Sequence, residues 1–115
     1  EINAKSAPFS ITEPGASTIE HLLPLMLHLV NRNEITLNRA ISLITSEPAK
    51  ILGINRGFIE KNKHADLCIY DPNSNISIDK NNLLSSGKNT PFNGWELQGK
   101  VTHTLLNGEV VFSID

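Results

Sequence analysis

The hydrophobic period of the sequence changes at Gly57, and this change limits the folds open to the chain. Before Gly57 the apolar residues recur at the spacing of helices, and after it they alternate or form short runs, as in strands. The segment that spans the change, residues 57–71, predicts a short strand, a polar turn at 61–64 and a more buried strand. A helical part followed by a β part could be a small α+β domain, but the features below favour an α/β fragment that lacks partners.

The first predicted helix covers about residues 17–30. It opens on Ser17-Thr-Ile-Glu20, a capping box in which the Ser17 hydroxyl accepts from a backbone N–H and Glu20 reaches back. Pro24 either kinks this helix or falls in its first turns. Apolar residues cover most of its circumference, so this helix is expected to be buried on several sides. Its two neighbouring helices are too few to cover it.

Two shorter helices are predicted before the change of period. Thr36 caps the second, and Ser46 caps the third, which ends at Gly53 in the left-handed conformation. Three strands are expected next, at 57–60, 66–70 and 75–78. The chain then closes on a hairpin in which Asn107-Gly108, between runs 101–106 and 109–112, suits a type I′ turn. These strands are short and leave open edges that ask for missing partners.

Composition excludes several classes of function. The chain has 115 residues, a net charge of −2 and scattered lysines and arginines, which argues against nucleic acid as a partner. Its longest apolar run, 22–30, is interrupted and too short to span a bilayer. The single cysteine, Cys68, excludes an internal disulfide and is expected to be a core thiol. A cytoplasmic location is therefore the default expectation.

The titratable residues give no catalytic cluster. His21 and His28 lie seven apart on the first helix, whereas metal-binding pairs on a helix prefer a spacing of three or four. His64 is expected in a solvated turn, and His103 is expected to be structural. Asp66 opens a buried strand, so its carboxylate is expected to accept from turn amides, although a catalytic role stays open.

The loop at Pro14-Gly15 has the most functional character. A glycine lets the backbone approach a ligand closely, and N–H groups at the start of a helix bind anions. From these residues alone, an ordinary loop before a helix is the favoured interpretation. The residues alone therefore lead no further than a cytoplasmic α/β fragment.

The order of motifs resembles the C-terminal signature of the amidohydrolase superfamily of cyclic amidases. The matching pieces are Glu47-Pro-Ala-Lys-Ile-Leu-Gly53, Gly57-x-Ile59, Ala65-Asp66-Leu67 and Asp71. Asn62 stands where that family usually has glycine.

Further segments are similar to dihydroorotases, in a proteobacterial-type branch. They are Glu13-Pro-Gly-Ala, Ile19-Glu20, Leu23-Pro24-Leu25, Gly87-Lys-Asn-Thr-Pro-Phe92, Gly94-Trp95, Leu97 and Gly99-Lys-Val101, and the resemblance runs from about Ala4 to Phe112. Thr18 stands where those proteins usually have glycine, and Ile19 where they have leucine.

This resemblance implies a fold and a function. Residues 1–53 would be the end of a metal-dependent hydrolase (β/α)8 barrel, its last helices, and residues 54–115 the C-terminal strands of an accessory β-sandwich. The full-length protein would hydrolyse dihydroorotate reversibly to N-carbamoyl-aspartate in pyrimidine biosynthesis. Zinc and all catalytic and metal-binding residues would lie in the missing N-terminal part, so this chain alone would be inactive.

The resemblance also implies contacts. Pro14 and Gly15 would bind the small-molecule substrate. The protein would be a homodimer or form a complex with aspartate transcarbamoylase. A non-catalytic dihydroorotase-like partner that scaffolds aspartate transcarbamoylase is the alternative, because some proteins of that branch have lost their metal ligands. A stand-alone β-rich binding module is a third and weaker interpretation.

Overall fold

The fold is a short helical part packed on an antiparallel sheet, in a computed structural model that describes residues 5–114. The helices are α1 (Leu22–Asn31), α2 (Leu37–Ile44) and α3 (Ser46–Ile51). The strands are β1 (Leu67–Ser77), β2 (Glu96–Leu106) and β3 (Glu109–Ser113), in the order β1-β2-β3. Both neighbouring pairs are antiparallel. Ala4, the first residue of the resemblance, lies outside the described range.

The predicted capping box at Ser17 and Glu20 is wrong. A 3-10 turn, Ile19–His21, precedes α1, and the cap residue of this turn, Thr18, makes no side-chain capping bond. The Glu20 carboxylate instead accepts from the backbone N–H groups of Leu84 and Ser85, at 3.0 and 2.7 Å. A distant loop thus supplies better donors than the local turn, a competition that spacing along the chain does not reveal.

The caps of the other helices are partly as predicted. Thr36 caps α2, and its hydroxyl accepts from the Arg39 N–H at 3.3 Å. Gly53 has φ +67°, the left-handed conformation expected at the end of α3. The predicted cap at Ser46 is wrong, because Ser46 is already the first residue of α3. The preceding Thr45 uses its hydroxyl to donate to the Ile41 carbonyl at 2.7 Å.

The predicted strand at 57–60 is absent, and the strands predicted at 66–70 and 75–78 are one strand, β1. The pairing of β1 with β2 shifts register between Asp71 and Asn75. Asp71 builds this bulge, since its carboxylate accepts from the Asn73 N–H at 2.9 Å and the Ser74 hydroxyl at 2.6 Å. Residues 57–60 form no ladder because no described strand pairs with them.

The C-terminal hairpin is confirmed. Asn107 and Gly108 have φ of +52° and +88°, the two positive values that a type I′ turn requires. β2 starts at Glu96, earlier than the predicted run at residue 101, and pairs with β1 along its added length.

The helical part meets the sheet where α1 crosses β2. Leu27 is buried at this crossing, and Gly99 lies beneath it with φ +100°; a Cβ at Gly99 would overlap the Leu27 methyl group. At the end of α1, the Asn31 amide donates to Gln98 Oε1 at 2.8 Å. The Cα radius of gyration is nevertheless 16.2 Å, against about 13 Å for a compact domain of about 100 residues. The chain is therefore less compact than a typical single domain of its length.

Gly57 marks the end of the helical part through a close backbone contact. Its φ is +83°, and a Cβ there would lie 2.6 Å from the Thr45 carbonyl oxygen and 2.9 Å from the Ser46 nitrogen. Backbone atoms at a helix junction cannot move aside as a flexible side chain can. A glycine is therefore required here for its conformation and for its lack of a side chain.

We expect Gly57→Ala to lower the free energy of unfolding by about 2–4 kcal/mol, because strain at positive φ adds to the overlap with Thr45. Gly53→Ala is the matched control: its φ is also positive, but a Cβ meets nothing within 4 Å. It should cost only about 1 kcal/mol. Urea denaturation followed by circular dichroism measures both, and equal losses would contradict the role of the backbone contact.

Candidate functional site

The loop at Pro14-Gly15 is exposed and precedes the 3-10 turn that leads into α1. Gly15 has φ +102°, and a Cβ there would meet nothing within 4 Å. The glycine is thus needed for its backbone conformation, and not because a side chain would clash with another residue of the described range. In residues 5–114 no acceptor is bonded to the Gly15 N–H. The loop therefore presents open space and a free backbone donor to solvent.

Two side chains hold this loop in place. Lys5 Nζ donates to the carbonyls of Glu13, Pro14 and Gly15 at 2.6, 3.0 and 3.0 Å. Asn89 Nδ2 donates to the same Gly15 carbonyl at 3.0 Å. Sequence reasoning missed both residues. Asn89 lies within a segment of the resemblance, but only the folded chain shows that its side chain contacts Gly15.

Glu20 ties the start of α1 to the loop that contains Asn89. Burial acts to raise the pKa of the Glu20 carboxyl, but the hydrogen bonds from the Ser85 and Leu84 backbones outweigh it, and the pKa lies below its ordinary value. His21 and Lys88 lower this pKa further through their charge. Glu20 is therefore held as a charged anchor between two segments far apart in the sequence.

The histidines do not combine into a metal centre. His21 is 5% exposed and its Nε2 has no hydrogen-bond partner among residues 5–114, whereas the His28 ring lies 6.0 Å from the Trp95 ring. His64 is exposed, as expected, although its Nδ1 lies 2.9 Å from Asn107 Oδ1. His103 contacts the neighbouring Thr102 hydroxyl. Among residues 5–114 no group of three or more His, Cys, Asp or Glu could hold a metal ion.

An apolar groove of about 850 Å³ opens between the helices and the sheet. Leu22 and Ile41 line it from α1 and α2, and Tyr70 and Phe112 line it from the strands. Cys68 also lines the groove and is exposed, so the prediction of a core thiol is wrong for this chain. Partial burial still raises the pKa of the Cys68 thiol. The Cys68 thiol thus lies on the face of the sheet that lines the groove, and the described residues leave it exposed.

The amidohydrolase family model matches residues 8–111. The chain belongs to the amidohydrolase family.

Curated relatives and solved structures of similar sequence agree with this assignment. The dihydroorotase of Geobacter sp. strain M21 is 35% identical over 108 residues, which cover 94% of this chain and 25% of that protein. The dihydroorotase of Syntrophus aciditrophicus strain SB is 38% identical, covering 96% and 26%. The L-hydantoinase (dihydropyrimidinase) from Arthrobacter aurescens has a TM-score of 0.83 and 31% identity, covering 90% and 24%. The chain spans about a quarter of the length of these relatives.

Asp66 of the amidohydrolase signature has a structural role. Its Oδ1 accepts from the Asn107 N–H in the hairpin turn at 2.8 Å, and its Oδ2 lies 2.8 Å from Arg56 Nη1. The Gly108 N–H also bonds the Ala65 carbonyl, at 3.0 Å. The expectation that Asp66 accepts from a turn amide is thus confirmed. The carboxylate latches the start of β1 to the distant hairpin turn.

Two of the three departures from the resemblance, Asn62 and Thr18, have backbone angles that their residue types tolerate. Asn62 has φ +66°, a left-handed conformation that asparagine tolerates better than most residues in place of glycine. Thr18 has φ −131°, which any residue adopts. Neither substitution therefore requires a distorted loop.

No helix among residues 5–114 is long and apolar enough to cross a membrane.

Acid should weaken the Glu20 anchor. Because the folded-state pKa of Glu20 lies below the ordinary 4.5, its stabilising contribution is complete above that value and is lost as the pH falls through the folded-state pKa. We expect the urea midpoint of the wild type to fall between pH 6 and pH 3, and Glu20→Gln to remove part of this fall. At neutral pH the variant should be about 1 kcal/mol less stable.

Glu109→Gln is the control for this titration. Glu109 is an exposed carboxylate in β3 that makes no hydrogen bond or ion pair with another residue of the described range. Its variant should retain the wild-type dependence on pH. Parallel curves for the wild type and Glu20→Gln would show that the anchor does not contribute.

Proposed function

We propose that this chain is the C-terminal part of a dihydroorotase, which interconverts dihydroorotate and N-carbamoyl-aspartate in pyrimidine biosynthesis. The observation that carries the proposal is similarity along almost the whole chain to proteins of that name, at 35–38% identity in the two relatives above. The structurally similar hydantoinase supports the same type of reaction, hydrolysis of a cyclic amide. We further propose a cytoplasmic enzyme that acts as a homodimer or in a complex with aspartate transcarbamoylase.

The groove supports a division of this enzyme into two parts. Residues 1–53 would complete a (β/α)8 barrel, and residues 54–115 would form the C-terminal strands of its accessory β-sandwich. Leu22 and Phe58 line the groove and are 47% and 45% exposed, an arrangement that a stable core does not leave open. The N-terminal part of the same protein would cover these side chains and pair with the free edges of β1 and β3.

The metal of such an enzyme would be bound outside this chain. The histidines described above do not converge, and the donor set of residues 5–114 does not fit a metal ion. Zinc would therefore be held by residues of the N-terminal part, together with the catalytic groups. The chain itself would contribute to substrate binding but would be inactive alone.

Pro14 and Gly15 would provide that contribution. The free Gly15 N–H is suited to donate to a carboxylate or ring oxygen of dihydroorotate, and a bond to a charged acceptor is among the stronger hydrogen bonds. Because the surrounding space is open, the pocket wall opposite this loop would come from the rest of the protein.

The full-length protein, purified with zinc, tests the function. We expect it to form dihydroorotate from N-carbamoyl-aspartate and to contain bound metal, whereas residues 1–115 alone should give no turnover. A full-length protein with neither turnover nor metal would overturn the proposal. Its co-purification with aspartate transcarbamoylase would then favour the alternative, a non-catalytic scaffold.

Gly15→Ala in the full-length enzyme should raise the KM for dihydroorotate about 10- to 100-fold and leave kcat within about twofold. The alanine strains the loop at φ +102° and displaces the donor, and a lost bond to a charged group costs about 1.5–3 kcal/mol. Gly53→Ala controls for strain, since Gly53 also has positive φ and open space around it. An equal KM for both variants would contradict a role of Gly15 in substrate binding.

A further inference from the structure

Among residues 5–114, the side chains that hold the loop at residues 13–16 bond its carbonyl groups. The Pro14 and Gly15 carbonyls both bond Lys5 Nζ, and the Gly15 carbonyl also bonds Asn89 Nδ2. No peptide bond in the described range is cis. In a trans peptide the C=O and N–H point in opposite directions. The N–H groups of Gly15 and Ala16, which follow these two carbonyls, therefore point away from Lys5 and Asn89.

Asn89 grips this loop at two points. Its side-chain amide donates to the Gly15 carbonyl at 3.0 Å, and its own carbonyl accepts from the Ser17 N–H at 2.7 Å. The two bonds bracket Ala16, so they fix both ends of the short segment that carries the free donors. Loss of either bond would weaken the hold on the Gly15 peptide, which the Lys5 ammonium would still contact.

The segment that carries Asn89 is itself anchored. Glu20 accepts from Leu84 and Ser85, and the Lys88 ammonium donates to the carbonyl of the buried Leu83. Asn89 follows directly on this anchored stretch. Asn89 can therefore hold the loop at residues 13–16 in a fixed position, although more than 70 residues separate Asn89 from Gly15 along the chain.

We propose that Asn89 is a positioning residue for substrate binding: it clamps the Gly15 carbonyl so that the N–H groups of Gly15 and Ala16 face the substrate. This inference rests on the proposed function, which assigns Pro14 and Gly15 to the substrate pocket. It adds a residue from the far end of the chain, which touches the loop and not the substrate. Lys5 supports the same carbonyls, so loss of Asn89 alone weakens the clamp without releasing the loop.

The test compares Asn89→Ala and Asn89→Gln in the full-length protein. Substitution removes or lengthens the side-chain bond but keeps the backbone bond to Ser17. We expect Asn89→Ala to raise the KM for dihydroorotate about fivefold, as for loss of one hydrogen bond, with kcat within about twofold. Asn89→Gln, which keeps the amide donor, should recover at least half of this loss on a logarithmic scale.

Asn38→Ala is the matched control, because Asn38 is exposed on α2 and its side chain makes no hydrogen bond with a residue of the described range. It should leave KM unchanged, and all three variants should have the thermal midpoint of the wild type within 2 °C. A KM for Asn89→Ala equal to that of Asn38→Ala would overturn the proposal. So would a loss of kcat and thermal stability in parallel, because that pattern indicates general unfolding.

Hydrogen exchange separates this inference from the proposed function. In the substrate-free protein, the Ser17 N–H should exchange about fivefold faster in Asn89→Ala than in Asn38→Ala, because the clamp beside it is weaker. If the wild type lacks dihydroorotase activity but the Ser17 N–H still exchanges faster in Asn89→Ala than in Asn38→Ala, the proposed function fails and the clamp stands. If the enzyme is active and neither KM nor exchange changes, the clamp fails and the function stands.

Discussion

The arrangement of the chain depends on the close approach of α1 to β2. The buried Leu27 of α1 lies over Gly99, where the strand has no side chain. A glycine in a strand marks the point at which another element approaches closely. This contact places the start of α1 near the loop between β1 and β2, and the loop at residues 13–16 is attached to both. The geometry of the candidate site is thus set by helix–sheet packing, although its residues lie in loops.

The features that sequence predicted correctly are local. Thr36 as a cap, Gly53 at a helix end and Asn107-Gly108 in a hairpin depend on neighbouring residues, and their types decide the conformation. The errors have the opposite cause. Glu20 found donors in a loop 64 residues away, and residues 57–60 found no partner strand. Cys68 occupies a strand whose outward face is left open, and local pattern cannot show what covers a face.

The candidate site divides in the same way. A resemblance in sequence makes Pro14 and Gly15 candidates for the site, and Gly15 has positive φ. Lys5 and Asn89 could not be identified, because each acts through a contact that only folding creates. Asp66 shows the converse. It belongs to a family signature and carries a charge, yet its partners are a backbone amide and an arginine, which make it a latch.

The Glu20 anchor has a consequence for cooperativity. The change of period at Gly57 divides the sequence into two halves, but the bonds from Glu20 to Leu84 and Ser85 join the first helix to the connection between β1 and β2. Closing that long connection is an entropic cost of forming the sheet, and the hydrogen bonds that Glu20 accepts from the connection offset part of it. Helix and sheet therefore stabilise each other, and the boundary visible in the sequence is not a boundary between independent folding units.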